Sequence, residues 1–379
     1  MIKMENVSKQ YPTMDRPAVS ELSIEVKEGE ICVFVGPSGC GKTTTLKMIN
    51  RIIEPTSGNI FINGKNVLDQ DPDKLRQHIG YVIQRIGLFP HINVYENIAT
   101  VPRLLGWDED IIAKRVDELL TLVGLDPDEN RKKFPKELSG GQMQRVGVAR
   151  AMAANPPVML MDEPFGAVDP IIRTQLQNEF LRLQNKVKKT ICFVTHDIDE
   201  AIKMGDKIAI MYKGQLVQYD TPENILFAPK NEFVEQFVGS DRSLKVLNLL
   251  KVHTVLKKPK SVTPDTQLNV VRKMLEQSTG DRIIVKNNDG YPRGLITKKD
   301  IKNADSARGW NMFIKPIPVT LPEQASLRDA LSEMLHYNVS AIPINDKDGR
   351  LKGIVYLSDI RSYIGEAYQE YEQEENGVK

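Results

Sequence analysis

Ile31-Cys32-Val33-Phe34-Val35-Gly36-Pro37-Ser38-Gly39-Cys40-Gly41-Lys42-Thr43 is the stretch whose reading decides the fold. Its first five residues are apolar at every position, as a strand buried on both faces of a parallel sheet requires. Residues 36 to 43 fit G-x-x-x-x-G-K-[ST], and a helical pattern follows from Thr44-Thr45-Leu46-Lys47-Met48. Strand, loop and helix in that order are the context in which this motif binds phosphate, not a chance glycine-rich turn. Small residues let backbone N–H groups wrap phosphate oxygens. Lys42 brings charge to the β and γ phosphates, and the Thr43 hydroxyl can ligate Mg²⁺.

Outward from the loop, short apolar runs alternate with longer helical patterns from Glu30 to about Met211, the signature of a sheet flanked by helices. Met159-Leu160-Met161, Ile191-Cys192-Phe193-Val194 and Ile208-Ala209-Ile210-Met211 are further buried strands, Gly58 to Gly64 a short strand between turns, and Asp110 to Val123 an amphipathic helix. Val158 to Glu163 ends a strand in two carboxylates. Asp162 is the expected Mg²⁺ partner, and Glu163 stands where a carboxylate can polarise the water that attacks the γ-phosphate. Between loop and carboxylates lies Leu138-Ser139-Gly140-Gly141-Gln142. Its glycines expose backbone N–H groups, and a helix starting there would aim its positive end at a second anion.

The 379 residues suffice for two or three domains. With 51 Lys and Arg against 50 Asp and Glu, the charge gives no basic footprint for nucleic acid. Cys32, Cys40 and Cys192 show neither paired nor metal-ligand spacing, which favours a reducing compartment and assigns them no chemistry. The N-terminus lacks the sections of a signal peptide, and no apolar run approaches the roughly 18 residues a membrane helix needs. Membrane work is therefore expected through partners. The acidic stretch from Glu366 reads as a solvated, fraying terminus.

Taken together, residues 1 to 239 resemble an ABC transporter ATPase subunit. The resemblance implies ATP held by Gly36 to Thr43 and Thr44, with Tyr11 stacking on adenine. Gln84, in Tyr81-Val82-Ile83-Gln84, matches the glutamine that contacts Mg²⁺ and the attacking water and signals to the permease. Mg²⁺ is thus expected on Thr43, Gln84 and Asp162. His196, in Thr195-His196-Asp197, matches the γ-phosphate switch histidine, so the expected catalytic set is Glu163, His196, Gln84 and Lys42. Leu138 to Gln142 matches the signature sequence, and Asp169 the dimer-contact aspartate. The family implies a head-to-tail dimer in which Ser139, Gly140, Gly141, Gln142 and Asp169 complete the ATP pocket of the other subunit. Gly87-Leu88-Phe89-Pro90 would lie where a permease coupling helix docks.

After Phe237-Val238-Gly239 a short helical stretch and Lys257-Lys258-Pro259-Lys260 suggest a linker. Beyond it Leu268 to Ile301 and Leu327 to Ile360 overlay at a constant offset of 59 residues, with Asp289-Gly290 on Asp348-Gly349 and Asp300-Ile301 on Asp359-Ile360. Two copies of one unit bury a shared face. This region resembles a tandem pair of CBS domains. Gly294-Leu295-Ile296-Thr297-Lys298-Lys299-Asp300 matches that family's G-h-h-[ST]-x-x-D nucleotide pattern, while the second copy keeps Gly353 and Asp359 but has Tyr356 in place of the hydroxyl residue. Thr297, Asp300 and Asp359 are the candidate contacts of cyclic di-AMP or another adenine nucleotide, and a structural dimerisation module is the alternative reading.

The expected fold is thus α/β: a P-loop ATPase domain over 1–240, with a mixed sheet flanked by helices plus antiparallel β and helical subdomains. A linker (241–254) then leads to an α+β CBS pair (255–311 and 312–368) and an acidic tail (369–379). An ATPase followed by a CBS pair resembles the ATP-binding subunits of importers for glycine betaine, carnitine, choline and related quaternary amines. It implies a homodimer on the cytoplasmic face of the cell membrane, a permease, an extracellular binding protein, and no nucleic acid. An importer ATPase for another amino acid and a non-transport ABC ATPase are the rival readings. The repeat counts against the first, and the single cassette with balanced charge against the second.

Overall fold

The structure, a computed structural model, describes all residues except 84–86, 167, 278–281, 303–308 and 378–379, and no side chain at 171, 368 or 370–377. The chain divides into two compact units, one of Met1–Ile225 with Pro229–Gly239 and one of Leu226–Ala228 with Ser240–Lys379.

The first unit opens with β1 (Ile2–Lys9) and β2 (Val19–Val26), then β3 (Ile31–Val35), α1 (Lys42–Ile49), β4 (Ser57–Ile62), β5 (Lys65–Asn66), α2 (Pro72–Gln77) and β6 (Ile79–Val82). Helices α3 (Val94–Leu104), α4 (Glu109–Leu122), α5 (Pro127–Asn130) and α6 (Gly140–Met152) follow. The unit continues through β7 (Val158–Asp162), α7 (Pro170–Val187), β8 (Thr190–Thr195), α8 (Ile198–Met204), β9 (Lys207–Tyr212), β10 (Gln215–Asp220), α9 (Pro222–Phe227, its last two residues counted with the second unit) and α10 (Glu232–Val238). One sheet has the antiparallel order β2-β1-β4-β5; the other runs β10-β9-β3-β8-β7-β6, parallel except for β10 at its edge.

Every residue of β3, β7 and β8 is buried, which explains their unbroken apolar patterning. Phe34 and Phe193 are among the largest fully buried side chains, each contributing roughly 1.5–3 kcal/mol of burial free energy. In this order β8 lies between β3 and β7, so the phosphate loop after β3, Asp162 at the end of β7 and Thr195 at the end of β8 share one sheet edge. That is the edge at which open α/β sheets bind ligands. The adjacent parallel strands β6 and β7 are joined by the whole α3–α6 layer.

The second unit contains α11 (Arg242–Leu249), β11 (Ser261–Val262), α12 (Leu268–Glu276), β12 (Arg282–Lys286), β13 (Pro292–Thr297) and α13 (Lys298–Lys302). Its second half has β14 (Leu321–Pro322), α14 (Leu327–His336), β15 (Ala341–Asn345), β16 (Leu351–Tyr356) and α15 (Leu357–Gly377). Two three-stranded sheets, β11-β12-β13 and β14-β15-β16, share one pattern: a parallel pair, then an antiparallel pair. Each repeat is crossed by the segment leading into the other. Lys257 exchanges both backbone hydrogen bonds with Ile354 of β16, and Lys315 does the same with Leu295 of β13. The crossing dictates the motif glycines: a Cβ on Gly294 would stand 2.3 Å from Ile314 Cγ2 and 2.6 Å from Lys315 O, and one on Gly353 2.2 Å from Leu256 Cδ1.

The short helical stretch expected within the linker of residues 241–254 is α11, followed by a 3₁₀ turn, and Leu247, Val252 and Val255 are buried in one core with Leu327, Ala330 and Ile342. The backbone of the acidic terminus continues α15 to Gly377.

Candidate nucleotide-binding and hydrolysis site

The loop between β3 and α1 keeps its shape because two of its glycines admit no side chain. A Cβ on Gly36 (φ 150°) would meet Met211 O at 2.1 Å, and one on Gly41 (φ 104°) would meet Ala18 O at 2.4 Å. At these points the loop touches the backbone of β9 and of the residue just before β2, so its neighbours mould the phosphate cradle. Lys42 is buried, and its Nζ donates to Gly36 O at 2.6 Å and Pro37 O at 3.0 Å, which sets the ammonium inside the loop's own curve. Thr43 Oγ1 donates to Asp162 Oδ1 at 3.0 Å across 119 positions of sequence.

Asp162 is 3 % exposed, and burial pushes its carboxyl above the ordinary aspartate value, with the Thr43 hydrogen bond opposing and the Glu163 charge adding to the shift. A buried carboxylate that its surroundings leave under-compensated, touching a hydroxyl, fits a hard divalent cation. Mg²⁺ takes one or two protein oxygens and fills its shell with water and phosphate. Gln84 lies outside the described residues.

Glu163 follows with left-handed backbone (φ 49°), a conformation disfavoured for a side chain of its kind. Its N–H donates to Val194 O at 3.0 Å on β8, and its carbonyl accepts from Gly166 N at 3.2 Å and Gln144 Nε2 at 3.1 Å. Its Oε1 lies 3.4 Å from His196 Nδ1, and a small enclosed space beside the pair is lined by Arg173, Thr195 and Glu200. Glu200 is itself buried, holds Gln177 Nε2 at 2.9 Å, and has its carboxyl raised chiefly by burial. The structure therefore brings together Lys42, Thr43, Asp162, Glu163 and His196.

Ser139 caps α6: its Oγ accepts from Gln142 N at 3.3 Å while Gln142 Oε1 accepts from Ser139 N at 2.9 Å, a reciprocal capping box. Beyond it Gly140 and Gly141 have no internal need to be glycine. A Cβ on Gly140 meets nothing within 4 Å, and one on Gly141 only Val168 Cγ1 at 3.9 Å. Asp169 is exposed just before α7. Tyr11 is half-exposed under the Lys9 ammonium, 5.4 Å from the ring centroid.

In the second unit the nucleotide-type residues bond to one another. Thr297 Oγ1 donates to Asp300 Oδ2 at 2.6 Å, and Lys315 Nζ pairs with Asp300 Oδ1 at 2.8 Å. Lys257 Nζ pairs in the same way with Asp359 Oδ1 at 2.8 Å, but Asp359 Oδ2 is buried with no hydrogen-bond partner among the described residues. Tyr356 there replaces the hydroxyl that serves Asp300.

Two residues that bear on the site escaped sequence reading. Gln144 stands on the buried stripe of α6 with Val146, Gly147 and Ala149, and a glutamine on an apolar stripe is the signal that could have found it. Arg150 Nη1 donates to Gly87 O at 2.8 Å and its guanidinium lies 5.7 Å over the Phe89 ring, a contact that no spacing in the sequence announces.

Residues 19–166 match the ABC transporter family, and residues 252–307 and 313–366 match the CBS domain. The chain is 47 % identical over 369 residues to the osmoprotectant import ATP-binding protein OsmV of Salmonella typhimurium, covering 96 % of each chain. It is 44 % identical over 361 residues to the glycine betaine/carnitine/choline transport ATP-binding protein OpuCA of Bacillus subtilis, covering 94 % of each. Among solved structures it resembles a dimeric ATP-binding cassette in a post-hydrolysis state bound to ADP and Pi, with TM-score 0.54 and 32 % identity over 59 % of this chain and 99 % of that one.

Proposed function

This chain belongs to the ABC transporter family, its ATPase cassette followed by a tandem CBS pair, and from that membership we propose that it is the ATP-hydrolysing subunit of an importer of osmoprotectant quaternary amines. The observation that carries the proposal is the near end-to-end match, repeat included, to an osmoprotectant import ATP-binding protein and a glycine betaine/carnitine/choline transport ATP-binding protein. Among the described residues no helix is long and apolar enough to cross a membrane. The chain works as a dimer with a separate membrane permease. We place it peripherally on the cytoplasmic face, fed by an extracellular substrate-binding protein.

Within that reading the residues divide their labour. The backbone of Gly36 to Gly41 and the Lys42 ammonium bind the phosphates of ATP, while Thr43 and Asp162 hold Mg²⁺. Held by Thr43 and Asp162, Mg²⁺ would supply neutralisation of the charge that develops on the phosphate oxygens. Glu163 accepts the proton of the attacking water, and His196, within reach of its Oε1, holds that carboxylate's direction and meets the γ-phosphate. Gln84 completes the set. Ser139, Gly140, Gly141, Gln142 and Asp169 face the other subunit, and nucleotide closes the dimer because only the closed form offers it both surfaces. Glycines at 140 and 141 that their own chain does not demand support this division.

The CBS pair is proposed to regulate transport by binding cyclic di-AMP or another adenine nucleotide near Thr297, Asp300 and Asp359. Supporting the reading is the pairing of both aspartates with lysines of the crossing segments, Lys315 on Asp300 and Lys257 on Asp359, which places a cation beside each candidate contact for an anionic ligand. Calorimetric titration of the full chain with cyclic di-AMP and AMP tests it, and no heat with either at millimolar concentration would remove the ligand role. For the cassette, Glu163→Gln is expected to bind ATP with parental affinity, accumulate as a closed dimer and lose at least about a hundredfold in turnover. Parental turnover would take the role of base from Glu163.

A further inference from the structure

We infer that Gln144 is the positioning residue for Glu163, and that through it α6 adjusts hydrolysis in its own chain to events at both ends of the helix. The inference rests on the reading of Glu163 as the group that activates water.

Gln144 is 7 % exposed and donates from Nε2 to the Glu163 carbonyl. Because the acceptor is a carbonyl, the amide must present its NH₂ there, and its Oε1 is then left buried without a hydrogen-bond partner among the described residues. A residue needed only to fill this space would be apolar and would avoid that penalty. A half-satisfied glutamine is explained by the donor it offers. The backbone it grips is Glu163's own, in left-handed conformation, so a small rotation of that peptide redirects the carboxylate. An apolar slot lined by Leu122, Val148, Met152, Phe165 and Phe180 lies behind the turn that follows Glu163. Packing on that side is therefore incomplete, and orientation falls to the hydrogen bonds.

The rest of α6 shows what the grip conveys. Its N-terminus is the Ser139-Gly140-Gly141 face, and six residues beyond Gln144 the Arg150 guanidinium holds Gly87 O and the Phe89 ring. One 13-residue helix thus joins the surface assigned to the partner's nucleotide, the loop assigned to the permease and the carbonyl of Glu163. Packed helices move as units. A shift imposed at either end reaches Glu163 through Gln144 and leaves Lys42 and Thr43, on α1, in place. The consequence is control of the chemical step without control of ATP affinity.

The test is steady-state ATP hydrolysis by the full-length chain carrying Gln144→Met, which keeps the side chain's length and removes its N–H donors. We expect kcat to fall about tenfold, with KM for ATP within about twofold of the parent. Tm should hold or rise, since the unpaired oxygen is gone. Val146→Ala, at a fully buried position of the same helix, should lower Tm and leave kcat unchanged. The inference is overturned if Gln144→Met retains parental kcat, or if its kcat loss is matched by Val146→Ala at equal loss of Tm. Glu163→Gln is run alongside. Full turnover there defeats the assignment of Glu163, whereas loss there with no effect of Gln144→Met defeats the positioning role alone.

Discussion

Single residues carry opposite burdens at the two faces of the cassette. Gly36 and Gly41 are fixed by their own chain, while Gly140 and Gly141 are not. Gly140→Ala should therefore leave thermal stability unchanged or raise it by up to about 1 kcal/mol, as alanine does in a helix. Turnover should fall about a hundredfold, because in the proposed dimer the methyl group would stand where a partner's phosphate approaches. A variant that lost stability and activity together would show that the glycine serves its own fold. Asp162 behaves differently. Burial raises its carboxyl, so its charged form burdens the folded chain above that raised pKa, and the burden lifts as pH falls through it. Asp162→Asn keeps an oxygen for Thr43 and should show a higher Tm than the parent at pH 7 without Mg-ATP. The gap should close on acidification while Mg-dependent hydrolysis is lost; melting curves across pH read both. The phosphate loop and the two carboxylates were legible because their chemistry is local in sequence. Gln144 was not, because its role depends on which layer faces α6.

At the level of elements, the alternation of strands and helices was readable, since β3, β7 and β8 are buried on both faces and show it in composition. The 59-residue repeat was readable too, because each copy builds the same sheet. What the repeat concealed is the exchange of crossing segments. Lys257 and Lys315 lie outside the matched stretches, and their pairing with Asp359 and Asp300 is set by tertiary geometry. The residues taken as a nucleotide pattern thus have a second use. Hydrogen bonds from Lys315 and Thr297 outweigh burial and hold the Asp300 carboxyl below its ordinary value. Gly294→Ala should destabilise the chain by about 1–3 kcal/mol in chemical denaturation, because its methyl would overlap the backbone of Lys315. Parental stability would mean that the crossing is loose enough to yield. The helix α11 was legible as a short helical stretch, but its place in a core was not, because its short apolar stripe finds that core only in the second repeat.

For the whole molecule, the proposed function requires more than one copy. Mixing a Ser139 variant with a Lys42 variant should restore one intact composite site out of two in the mixed dimer, recovering hydrolysis that neither variant shows alone. No recovery at any mixing ratio would mean that each chain builds its site unaided. Sequence carried this reading only through family resemblance, since an exposed capped helix does not declare what it meets. The crossed repeats also bear on how the chain is made. Lys257 finds its carboxylate 102 residues later, at Asp359. At ordinary rates of translation about 5–20 s separate the two. During that interval the nascent Lys257 segment lacks the β16 edge it will cross, and its unpaired backbone is available to chaperones or to a neighbouring polypeptide on the same message. The order of synthesis, more than the finished fold's stability, sets when this region is vulnerable to misassembly.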